Sequence, residues 1–186
     1  MNKIIFSLLK VSCVFFLALG ILNSSPIHAQ NRTTITQQAQ NALNQLLKSN
    51  ADARVLNNKA VAVLVFPSIT KAGIMIGGQY GDGVLLSKGK AIAYYNTTGV
   101  SYGMQIGAQE YGYAMFFMKQ SAITALDSTD GFEVGVGPSV VVVDEGFAKT
   151  NSSINLQEDI YAFIFNQKGL MAGLGIQGNK ITRLKN

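Results

Sequence analysis

Ser68-Ile-Thr-Lys71 sets a hydroxyl and an amine at the S-x-x-K spacing used by penicillin-recognising serine acylases, in which a lysine helps to activate a serine. Five glycines follow, from Gly73 to Gly83, and then the apolar run Val84-Leu85-Leu86. Such a stretch could serve a serine nucleophile, a loop that cradles phosphate, or a bent sheet. Acylation by Ser68 and Lys71 needs partner motifs further on. Ser153-Ile-Asn155 is a loose S-x-N, but no K-[ST]-G exists. The serine of that motif opens a helix, whereas Ser68 follows a strand-like run and Pro67. The phosphate reading fails similarly. Gly78 to Gly83 lacks the G-K-[ST] of a P-loop, and Gly173-Leu-Gly175-Ile-Gln-Gly178 has too little chain after it for the helix and second strand of a dinucleotide fold.

Composition narrows the chemistry further. Lys3, the apolar run Val11 to Leu22 and the small residue Ala29 form the pattern of a secretory signal over residues 1–29, leaving residues 30–186 as one domain, periplasmic or extracellular. Cys13 and His28, the sole Cys and His, lie in that segment, and the chain has no Trp. The exported part thus has no thiolate, no imidazole base and no disulfide, so no cofactor is expected and a metal would need oxygen ligands alone. The acids give no catalytic pair: Asp144-Glu145 and Glu158-Asp159 are adjacent, so on a strand they point to opposite faces. With Lys3 and Lys10 removed, 13 basic and 10 acidic side chains remain, without the basic run that nucleic acid would call for.

The elements that must position any site come in two blocks. Ile35, Ala39, Ala42, Leu43, Leu46 and Leu47 fall within an arc of about 140° on a helix over residues 33–56, and Asp52 can start a second short helix. After Val61 the pattern is strand-like: Val61–Phe66 stopped by Pro67, then Ile74–Ile76, Val84–Leu86 and Ala91–Tyr95 separated by glycine-rich turns, and an alternating strand over 101–109. Tyr113–Met118 and Val134–Val143 follow, then Ile160–Phe165 and Leu170–Ile176 as a hairpin at Gly169, and a last strand from Lys180. The expected class is α+β: N-terminal amphipathic helices on a strongly twisted, mostly antiparallel sheet or partial barrel, with one further short helix near 119–128. Several strands are apolar on both faces, so the sheet must be covered on each side. Gly77, Gly81 and Gly103 interrupt otherwise continuous strand patterns, which predicts a bulge or positive φ at one of them at least.

Three motifs in order, F-P-S-I-T-K-A-G-I-M-I-G-G-Q-Y-G-D-G, G-V-G-P-S-V and F-N-Q-K-G-L-M, resemble those of the SYLF domain, in its bacterial branch with a signal peptide. The resemblance spans about Thr34 to Leu184. It implies a non-enzymatic domain that binds membrane phospholipids, phosphoinositides in eukaryotic members, with actin as a further partner of some. Lipid binding in those members is attributed to a basic amphipathic helix at the start of the domain. Here the polar face between Arg32 and Lys48 has no charge, so that helix could dock on the sheet instead. Lys71, Lys168 and Lys48, on or beside these motifs, are the first candidates for gripping a headgroup, with Arg54 and Lys59 second. Ile35, Leu43, Leu46, Leu47, Tyr80 and Tyr102 are candidates for an apolar or interfacial role. The expected partner is an anionic membrane surface, and an envelope protein is the alternative.

Overall fold

The computed structural model describes residues 27–127, 132–133, 139–143 and 157–185. The chain divides into two compact units, residues 1–34 and 35–186. In the first, the described part is the opening of helix α1 (Ile27–Ser49).

In the second unit, Ala39, Ala42, Leu43 and Leu46 form the buried face of α1, with Ile35 and Leu47 packed beside them. The helical pattern to residue 56 is divided in two: α1 stops and α2 (Ala51–Lys59) starts anew, where Asp52 was expected to start a second short helix. Asn50 causes the break. Its backbone is extended (φ −121°, ψ 120°), and its side chain accepts from the Ala53 amide at 2.9 Å, the bond an N-cap makes. Ser49 donates back to Gln45 and Leu46 carbonyls, and Arg54 donates to those of Leu47 and Lys48, so the end of α1 is satisfied from both sides.

The sheet rests on three very long strands, β1 (Ala62–Ser87), β2 (Lys90–Phe117) and β5 (Ile160–Arg183), antiparallel in that order. The separate strands and glycine-rich turns expected between 61 and 95 are therefore replaced by one strand and a single tight turn. Lys88 and Gly89, both at positive φ, form that turn, as a two-residue hairpin loop requires. Pro67 does not stop β1; it sits in a register shift between Phe66 and Ile69. Gly169, at φ 89°, is a bend within β5 opposite Gln109 and not the apex of a hairpin. Short β3 (Phe132–Glu133) pairs antiparallel with β5, and β4 (Val140–Val143) pairs parallel with it. The rest of the expected strand at 134–143 lies outside the described residues. Helix α3 (Gln120–Leu126) falls where the short helix was expected.

Strands of this length cannot stay straight in a small domain, and β1 folds back on itself. The Ser87 hydroxyl donates to the Val61 carbonyl at 3.1 Å, although 26 residues separate them. The two arms touch through glycines. A Cβ on Gly83 would lie 2.5 Å from the Phe66 ring, and one on Gly81 would lie 2.8 Å from the Ser68 carbonyl oxygen. Left-handed backbone occurs at Gly107 and Gly169, and neither Gly77 nor Gly81 has it; Gly81 is needed for close approach. At the fold itself, register shifts between Ile74 and Ile76, and Gly73 comes so near Gly77 that an added Cβ would overlap its Cα.

Where the strand ends meet, both sheet faces are covered, as the apolar runs demand. On one side α1 and α2 pack over Val63, Val65, Phe116, Tyr161 and Phe163. On the other, α3 closes a core of Leu64, Phe66, Tyr95, Met115 and Phe117. The sheet is curled, and the α+β class with N-terminal helices on a mostly antiparallel sheet is what the structure contains.

Candidate functional site

The folded end of the sheet is the opposite of this core. Ile74 and Met75 are each 70% exposed and Ile76 62%. In register beside them, Ile106 lies opposite Ile74 and Tyr102 opposite Ile76, and both are exposed. Leu170, opposite Ala108 on β5, is 88% exposed. Alternation explains most of this stripe: Thr70, Ala72 and Ile74 face out on the first arm, and Ile76, Gly78 and Tyr80 on the second.

The inner side of the same region is polar. Gln79, 7% exposed, donates to Asn179 at 2.8 Å and accepts from the Tyr111 hydroxyl at 3.1 Å. Tyr111 comes from the other arm of the fold, so this amide ties the arms together. Buried amides without partners are costly, and here both ends of Gln79 are satisfied.

Two of the basic candidates stand just behind the apolar end. Lys168 is exposed and lies opposite Glu110, whose carboxylate accepts from the Ser68 hydroxyl at 2.9 Å. Lys71, opposite Gln109, is half-buried on the alternate face. Ser68 thus donates its hydroxyl hydrogen bond to a carboxylate that lies opposite Lys168 in the ladder. Lys48, Arg54 and Lys59 belong to the other end. They sit on α1 and α2 over Val63 and Val65, about 30 Å along the strand from Ile74. The structure therefore does not gather the five basic residues into one site.

The apolar candidates separate in the same way. Leu43 and Leu46 are buried against the sheet, and Ile35 and Leu47 are packed beside them, so this helical face packs on the core. Tyr80 and Tyr102 are exposed. The Tyr80 hydroxyl donates to Asp82 at 2.6 Å, and that bond, with some burial, pushes its pKa up to about 12. Ile74, Met75, Ile76, Ile106 and Leu170 were missed by sequence reasoning. The available signal was three successive apolar residues bracketed by Gly73 and Gly77, too short to be a strand of its own.

At the helical end a cavity of about 690 Å³ is lined by Leu46, Asn50, Asp52, Val143, Phe163 and Phe165 among others. Among the described residues that line it, Asp52 is the one ionisable group. Among the described residues no group of three or more His, Cys, Asp or Glu could hold a metal, and no helix is long and apolar enough to cross a membrane.

Residues 98–186 match the family model Ysc84, described as Las17-binding protein actin regulator. This match over the C-terminal part of the chain supports the SYLF-domain family, which the model represents. A search of the curated proteins found no match.

Proposed function

We propose that the chain is a non-enzymatic lipid-binding domain that acts at an anionic phospholipid surface after export and removal of residues 1–29. The observation that carries this reading is the exposed apolar end at Ile74–Ile76 and Leu170, with Lys168 and Lys71 close behind. Large apolar side chains gathered at one end mark a surface that meets an apolar partner. Magnitudes indicate which force dominates. Burying Ile74, Met75, Ile76 and Leu170 is worth roughly 6–12 kcal/mol at most. Each lysine near an anionic surface adds about 1 kcal/mol.

Sedimentation with vesicles tests the reading. The protein is expected to bind phosphatidylglycerol-containing vesicles more than neutral ones, and to keep part of its binding in high salt, since screening weakens the lysine contribution alone. Absence of binding to either vesicle would sink it. The family description names binding to a protein, and this supports a second reading, a protein-interaction module of the cell envelope. Retention of an envelope protein together with failure to bind vesicles would favour that one.

A further inference from the structure

Within the lipid-binding reading, on which this depends, we infer that the strand fold at Ile74–Ile76 is the element that enters the membrane, and that the N-terminal helix stays outside. In a regular strand the middle of three residues faces away from its neighbours. The register shift between Ile74 and Ile76 removes that constraint, and all three side chains are exposed. Met75 is held at φ 61°, an uncommon conformation for a residue with a side chain. Such outliers persist only where the surroundings impose them, here the contact of Gly73 with Gly77.

The occupant follows from chemistry. The apolar end is made chiefly of exposed Ile, Met and Leu, with Tyr102 among them. Protein hot spots favour Trp, Tyr and Arg, whereas a deformable acyl boundary accepts flexible aliphatics. Lys71 precedes Ile74 by three residues, or about 10 Å of strand. That separation matches the ~5–10 Å to which interfacial elements sink, so the ammonium groups of Lys71 and Lys168 reach headgroup level while the Ile74–Ile76 side chains meet acyl chains. The ladder with β2 satisfies most of the backbone there, but the bulge does not complete it, which limits entry to the interface.

The chain has no Trp, so one introduced residue reports on a single place. Protein purified from the exporting host is mixed with vesicles of phosphatidylcholine and phosphatidylglycerol in equal parts, with acyl chains brominated near the headgroup. Ile76→Trp is expected to shift to the blue and be quenched. Val55→Trp, on the exposed side of α2, is expected to do neither. Ile74→Ser with Ile76→Ser is expected to weaken binding at least about tenfold at unchanged melting temperature, because both side chains are already in water. Wild-type binding with an unquenched Ile76→Trp and a double serine variant that binds equally would overturn the inference and leave the lipid reading standing. If the wild type fails to bind at all, both fall. Lipid-free self-association that disappears in the double serine variant would overturn it too, by giving the surface to a second copy.

Discussion

The start of β1 and the fold at its middle are made of similar residues and have opposite fates. Val63-Leu64-Val65-Phe66 is buried residue after residue, while Ile74-Met75-Ile76 is exposed residue after residue. Both runs pair with β2 in the same ladder. What differs is the neighbours. At the closed end α1 and α2 cover one face and α3 the other; at the folded end the facing arms exchange hydrogen bonds through Gln79, and the outer stripe meets no helix among the described residues. Hydropathy of a strand states how much burial is available to it, and tertiary packing decides which part is used.

Truncating a side chain at each end breaks this comparison most directly. Phe116→Ala removes a fully buried ring that stacks edge-on against Phe163 at 5.4 Å, and is expected to cost about 3–5 kcal/mol in urea unfolding. Ile74→Ala is expected to stay within about 0.5 kcal/mol of wild type. Comparable losses at the two sites would mean that the folded end is packed in solution.

A smaller effect sharpens the role of glycine. Gly83→Ala drives a methyl into the Phe66 ring and Gly81→Ala drives one onto the Ser68 carbonyl, each expected to cost about 1–3 kcal/mol. Gly78→Ala meets its nearest atom only at 4.0 Å and should be close to neutral. Equal melting temperatures for all three variants would show that the arms of β1 do not touch as described.

The smallest effect is titration. Tyr113 and Tyr80 both have pKa values pushed up to about 12, the first by burial and then Tyr111, the second chiefly by its bond to Asp82. A phenol raised in the folded state contributes stability that is fully present below the unfolded pKa of about 10 and is lost as pH rises toward the folded value. For Tyr113 this loss is on the order of 1 kcal/mol per pH unit above 10, so Tyr113→Phe should flatten the alkaline slope of the melting temperature. Tyr80 is half exposed, and solvent screening should leave Tyr80→Phe with a slope near that of wild type. A reversed order would place the buried hydroxyl at Tyr80.

Much of the class was legible. The arc from Ile35 to Leu47 gave α1 its buried face, and doubly apolar strands demanded two covering layers. Strand boundaries were not legible, because glycine has two uses that look alike in a sequence. At Gly89 it turns the chain, while at Gly81 and Gly83 it lets a second strand segment lie against the first. Only the partner segment, some 13–17 residues back at Ser68 and Phe66, distinguishes the two. The site was legible in its lysines, through motif position, but its apolar half was hidden, since nothing local in Ile-Met-Ile indicates that the run is left uncovered.

The long ladders also fix an order of assembly. From the Lys88-Gly89 turn, β1 and β2 can zip together through contacts between residues near in sequence. β5 has no such start: Phe117 finds Ile160, and Tyr95 finds Arg183, across intervening stretches that must first be closed into loops. Loop closure of this kind slows folding. The outer edge of β2 must therefore wait, with its hydrogen-bonding groups unpaired, until the C-terminal third of the chain arrives. A chain stalled before residue 160 presents that edge to any other strand, and aggregation is the hazard built into this topology.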